Sequence, residues 1–477
     1  MKNLKRYIIS GLTIILCLCS GCSKFVTIDP PKHQMVSATI FSSDETAIAA
    51  LMGMYSTMQV NKVSYLIPLY TGLSGDELYN WSTLSTHRQM YQNALQPIDA
   101  ASNQIWNLSY NIIYQANAII EGCNSSEILT PAVKQQLLGE ALFVRAYWHF
   151  YLLNLFGEVP LVLTTNYETN ANLGREDETT IYDQIILDLK EAKERLSNDY
   201  VALNSISAST ERIRPNKAVA SAFMARVYLF REDFANAALL STQVIDNTAD
   251  YRIEPVNTAF LVTGKEAIWQ LAMPTPTANN PNTWEGSHFI LERRPMNNAF
   301  NSSTVSGLQL EDFEKTDQRK ANWISSFTDA TVEPNVTYYY PNKYRILNST
   351  SILERTIVLR LAEQYLIRAE ARARSIPRNL EGAKDDLNVI RNRAGLPLLS
   401  LSELTPPEVA LNYILKERRS ELFAEWGHRW MDLRRTGKIN PVMQTVATYK
   451  GTTWSSSAAL WPIPQQEVER NSKLGQK

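Results

Sequence analysis

Apolar residues recur at three- and four-residue steps through most of the chain, the period of a helix with one buried face. Leu137, Ala141, Val144, Trp148, Tyr151 and Leu155 fall on one stripe, and Gly157 follows as a stop signal. The spacing predicts a helix from about 133 to 156, with His149 at the polar edge of the stripe. Shorter stripes predict helices over Ala47 to Met58, Ile105 to Ile120 and Thr179 to Leu196. Residues from about 406 to 436 read as helical again. The strip Leu460-Trp461-Pro462-Ile463-Pro464 is apolar and stiffened by proline, so it is expected to pack along the body without forming a helix.

Two stretches read as helix pairs. Lys217 to Ile245 divides at Arg231, Glu232 and Asp233, with Ala218, Ala222 and Ala225 before the turn and Ala237 and Ala238 after it. Small residues at facing positions let two helices approach closely. The pair resembles one tetratricopeptide unit, and Leu359 to Arg374 followed by Leu380 to Ala394 resembles another. No steady repeat of about 34 residues runs along the chain, so the units are expected to be scattered, not arrayed in tandem.

The block from 247 to 357 breaks the helical pattern. It is rich in Asn, Thr, Ser and Pro, with short strand-like pieces at Ala267 to Leu271 and Thr337 to Tyr340. Loops of that length inside a compact protein are usually functional or disordered. The fold expected is therefore mainly α: tetratricopeptide-like helix pairs form a scaffold and a loop-rich region interrupts it. Boundaries are placed at 43–246 for the first helical part, 247–357 for the loop-rich region and 358–477 for the second helical part with its extended tail.

The first 21 residues stand apart from the fold. Lys2, Lys5 and Arg6 precede a mostly apolar run from Ile8 to Leu18, too short to span a bilayer. Ser20 and Gly21 then precede Cys22, the cleavage context of a bacterial lipoprotein. Residues 1–21 read as the signal, Cys22 as the lipidated N-terminus, and 22–42 as a tether. Of the four cysteines only Cys123 would remain in the mature body, so an intramolecular disulfide has no partner.

Composition removes several function classes. Net charge is −1 over 477 residues, so no basic field exists to hold nucleic acid. The histidines (His33, His87, His149, His288 and His428) form no zinc motif, and phosphate loops and nucleophile elbows are absent. No catalytic residue, metal ligand or cofactor is assigned, although carboxylates are numerous enough that a glycosidase pair is not removed by counting. The charged stretch from Ile414 to Lys438 reads as structural, with arginine forks locking helix to helix.

Loop aromatics carry the functional lead. Trp81 sits in Asp76-Glu77-Leu78-Tyr79-Asn80-Trp81-Ser82, Trp284 follows an Asn-rich run, and Tyr338, Tyr339 and Tyr340 are consecutive. An aromatic ring covers the C–H face of a sugar while amides, carboxylates and guanidinium groups bond its hydroxyls.

Six stretches taken together resemble the SusD/RagB family of outer-membrane lipoproteins. They are 139–147 continuing through 155–162, Ala225-Arg226-Val227-Tyr228-Leu229, residues 361–371, residues 390–397, residues 417–422 with 427–435, and Trp461-Pro462-Ile463-Pro464. The resemblance implies a tetratricopeptide-like scaffold with a variable ligand-binding region. It also implies a non-catalytic lipoprotein that binds oligosaccharide or polysaccharide and delivers it to a SusC-like TonB-dependent transporter. By this resemblance and the aromatic pattern, Asp76, Trp81, Arg88, Trp284 and Tyr339 are the expected ligand contacts. Peptide cargo, a tetratricopeptide-type peptide scaffold and, further off, a glycoside hydrolase are the alternatives.

Overall fold

The computed structural model describes residues 39–273 and 282–475. The leader, Cys22 and most of the tether lie outside the described residues.

The helix expected at 133–156 runs Pro131–Phe156 and is the centre of the molecule. It has no polar face. From Gln136 onward every residue is buried, His149 included, so the stripe is one side of a helix covered all round. His149 is therefore not at a polar edge. Its Nδ1 lies 3.0 Å from the Arg145 carbonyl, and its Nε2 accepts the Val162 N–H. Burial pulls it down to about 3, so it is neutral at ordinary pH. Gly157 ends the helix at φ +80, and a Cβ there would come within 2.9 Å of Leu460. The tail closes over this point, with the Trp461 N–H donating to Leu155. Trp461 and Ile463 are buried, as the proline-stiffened strip implied.

The helix pairs form as Lys217–Phe230 with Phe234–Ile245 and Leu361–Arg374 with Leu380–Arg393. They are not scattered in space. Phe234–Ile245 packs directly on Leu361–Arg374, so the two pairs stack in succession. The loop-rich block is an excursion between two neighbours of one helical array. Sequence distance hid that adjacency. Leu359 and Arg360, expected in a helix, instead end a strand at Thr356–Arg360.

Three two-stranded antiparallel ladders account for the named strands. Strand β1 is Leu78–Asn80, β2 Ala267–Leu271, β3 Ser303–Val305, β4 Ile324–Asp329, β5 Val336–Pro341 and β6 Thr356–Arg360. They pair as β1 with β3, β2 with β6 and β4 with β5.

The helical stretch expected at 406–436 is broken in two, Pro407–Leu422 and His428–Arg435. Ala424, Trp426 and Gly427 all have positive φ (53, 43 and 74), which no helix accommodates. Its charges are spent as expected, on buried pairs. Arg418 meets Asp432 at 2.7 Å, and Arg360 of β6 reaches Glu425 at 2.8 Å and Glu266 at 2.9 Å. Arg319 joins Asp317, Glu417 and Glu421. Of these, the Arg360–Glu266, Arg319–Glu417 and Arg319–Glu421 pairs bind the loop-rich block to the second helical part. Removing one partner of such a buried pair costs about 3–5 kcal/mol, because the other charge is left uncompensated.

Candidate functional site

The β1–β3 ladder builds an aromatic strip. Its register sets Leu78 opposite Val305, Tyr79 opposite Thr304 and Asn80 opposite Ser303, and the Trp81 N–H continues it to the Ser302 carbonyl at 2.8 Å. Alternation along a strand places Tyr79 and Trp81 on one face and buries Leu78 on the other. The Trp81 ring lies 5.1 Å from Tyr79 and 5.2 Å from Tyr338, and Tyr79 lies 5.4 Å from Tyr91. Four rings thus run in sequence: Tyr91, Tyr79, Trp81, Tyr338. The Trp81 Nε1–H donates to Thr304 Oγ1 at 3.0 Å, which fixes the indole while leaving the residue 42% exposed.

The strip has a charged support at one end. The Lys450 ammonium sits 4.6 Å from the Tyr91 ring centre and donates to the Leu73 and Ser74 carbonyls at 2.6 and 3.0 Å. Those carbonyls close the Val63–Ser74 helix, where the helix dipole favours a cation. Burial nevertheless pulls Lys450 down to about 7, against the raising effect of Asp76.

The expected site residues separate into distinct places. Trp81 is in the strip. Arg88 is exposed on the Ser85–Gln92 helix, three residues from Tyr91 and so on the same flank, with no ion pair among the described residues. Tyr339 is exposed but belongs to the other face of β5. The register pairs it with Ser326, and the ring that meets Trp81 is its neighbour Tyr338. Period two along β5 decides between them.

Asp76 lies behind the strip, not in it. It is 3% exposed and gripped by Arg429 at 3.0 and 2.8 Å and by Arg419 at 3.2 Å. Burial opposes its ionisation, and the two guanidinium groups outweigh burial and hold it well below the usual carboxylate range. Its oxygens are consumed by these cations, so it anchors the base of β1. Glu77, one residue on, is pushed the other way, to about 7, by burial and by the Asp76 charge.

Trp284 belongs to a second cluster. It opens the Trp284–Phe289 helix, and its Nε1–H donates to the Gln59 carbonyl at 2.6 Å. The Lys62 ammonium lies 4.7 Å from its ring and 4.4 Å from Phe300, with His288 Nε2 at 3.3 Å. The indole is committed to bonds within the protein. Tyr79, Tyr91 and Tyr338 join the strip although none was among the expected ligand contacts, Tyr338 having been noted only as part of the tyrosine run. For Tyr79 and Tyr338 the available signal was the two-residue step. For Tyr91, on a short helix, there was none. No group of three metal-ligating side chains occurs among the described residues.

Two family models match the chain. Residues 265–477 match the SusD family, and residues 24–229 match a family described as starch-binding and associating with the outer membrane. The chain belongs to the SusD family. A SusD-like protein of Formosa agariphila is 26% identical, with 99% of each chain covered. A SusD superfamily protein of Bacteroides vulgatus shares the fold at a TM-score of 0.77 and 18% identity, covering 92% of this chain and 99% of that one. Surface glycan-binding protein A of Bacteroides thetaiotaomicron, solved with laminarihexaose, superposes at a TM-score of 0.72 and 19% identity, covering 91% and 99%.

The stretches that carry the SusD resemblance are spent on the scaffold. Glu140 binds Arg214 at 2.6 Å, Arg145 binds Asp188 at 2.7 Å, and Arg226 binds Glu363 at 2.6 Å, all buried. The aromatic strip uses other residues of the SusD chain. No helix of the described residues is long and apolar enough to cross a membrane.

Proposed function

We propose that this SusD-family chain is a non-catalytic, surface-exposed lipoprotein of the outer membrane, anchored through Cys22. It binds an oligosaccharide or polysaccharide and delivers it to a SusC-like TonB-dependent transporter. The observation that carries the reading is the exposed face of Trp81, held by one hydrogen bond and flanked by Tyr79 and Tyr338. Such a face stacks on a sugar with little ordering cost, because the rings are already fixed. Arg88 beside Tyr91 supplies donors for hydroxyls at one end. The family description and the laminarihexaose held by the B. thetaiotaomicron relative support a glycan over a peptide.

Affinity electrophoresis of the unlipidated protein against a panel of soluble polysaccharides tests this. Retardation by at least one glycan, lost in Trp81→Ala with the fold intact, is the expected result. Absence of retardation across the panel contradicts the reading.

A further inference from the structure

A cavity of about 730 Å³ opens between residues 93–97 and tail residues 455–463. Its volume is in the range of small-molecule sites. Two arginines, Arg175 and Arg434, line it together with the amides of Asn93 and Gln96 and the consecutive serines Ser455 to Ser457. No aspartate or glutamate lines it among the described residues.

These two arginines are half-buried, and they differ from the arginines that pin the scaffold together. Arg145, Arg214, Arg226, Arg418 and Arg435 each hold a carboxylate. Arg175 donates only to backbone carbonyls, of Glu158 at 3.0 Å and Gly475 at 2.9 Å, and Arg434 donates only to the carbonyl of Asn154. Among the described residues neither forms an ion pair. A guanidinium has five N–H donors, so each retains donors these bonds do not use. Burial lowers the pKa of both, and the carboxylates that offset this, Glu158 for Arg175 and Glu178 for Arg434, are not in the cavity lining. The protein's overall charge is near neutral, so the positive potential here is local. Planar guanidinium forks fit carboxylate and sulfate oxygens, and hydroxyl and amide groups around them fit the rest of a sugar.

We propose that this cavity is a separate subsite for an anionic sugar, one bearing a carboxylate or a sulfate ester. The proposal deepens the glycan-binding reading and rests on it, but it uses none of the strip residues.

Calorimetric titration with trigalacturonate, galactose 6-sulfate and neutral galactotriose tests it on the wild type and four variants. At low salt one anionic probe is expected to bind at least tenfold more tightly than galactotriose and to weaken as sodium chloride is raised. The better probe tells carboxylate from sulfate. Arg175→Gln and Arg434→Gln are each expected to cost about tenfold, and Trp81→Ala nothing. Ser456→Glu, an exposed position that brings a negative charge to the lining, is expected to weaken the anion as well, and it stands in if Arg434→Gln fails to fold. Equal affinity for anionic and neutral probes overturns the proposal, as does unchanged affinity in the folded arginine and Ser456 variants. Loss of the anionic probe in Trp81→Ala also overturns it, by placing that ligand on the strip. Retardation by neutral polysaccharides is read separately, so a failed subsite and a failed glycan reading give different results.

Discussion

The Trp81 indole meets the Tyr338 ring edge-on, at 5.2 Å between centres and 83° between planes. One ring comes from the first helical part and the other from the loop-rich block, so the strip exists only when β1 and the β4–β5 hairpin are both in place. The alternation along β5 gives a sharp expectation. Tyr338→Ala should weaken glycan binding about 5- to 10-fold, while Tyr339→Ala should change it less than twofold, as titration of both variants with one bound glycan would show. The reverse order would move the ligand to the other face of the hairpin.

Asp76 is expected to matter for folding first. Asp76→Ala leaves Arg429 without its buried carboxylate and Arg419 with only Asp312, and should destabilise the protein by about 3–5 kcal/mol in a denaturant melt. A variant with wild-type stability and lost binding would instead make Asp76 a ligand contact.

Glu285 gives the pH dependence. It is buried, and burial pushes it up to about 7 despite the hydroxyl of Thr356 bonded to it. The folded state therefore keeps a proton that the unfolded chain releases near pH 4.5. Its own contribution to stability should fall as pH rises from about 4.5 to 7 and level off above. Glu285→Gln removes this contribution, so its stability relative to wild type should improve by up to about 3 kcal/mol between pH 4.5 and pH 8. Chemical melts at the two pH values measure it, and a parallel shift of both proteins would refute the assignment.

Cys22 carries the anchoring claim. Cys22→Ala should leave the protein in the soluble fraction after cell lysis, where wild type sediments with the outer membrane and incorporates labelled fatty acid. Membrane retention of the variant would show that another element holds it.

Much of the helical array was legible because helices with one polar face announce their period. Phe234 to Ile245 and Leu380 to Arg393 are of this kind, whereas Lys217–Phe230 is buried nearly all round and showed its period through its small residues. The Val63–Ser74 helix was not legible. All of its residues are buried and Pro68 lies inside it, so no polar positions mark a face and a breaker argues against a helix. The break at 423–427 was equally hidden, since Ala424 and Trp426 give no warning of positive φ. At the site, Trp81 stood out as an aromatic in a polar loop. Choosing Tyr338 over Tyr339 needed the register of β5, and the separation of Asp76 from Trp81 needed the knowledge that Arg429 lies beneath β1.

The central claim is that an exposed Trp81 face binds glycan, and titration of tryptophan fluorescence tests it most directly. Wild type, Trp81→Ala and Trp284→Ala would be titrated with the polysaccharide that retards the protein and with laminarihexaose as a defined oligosaccharide. Saturable binding by wild type, weakened about 5- to 30-fold in Trp81→Ala and retained in a folded Trp284→Ala, is the expected result, corresponding to about 1–2 kcal/mol for the lost stacking face. Unchanged affinity in Trp81→Ala would contradict the account.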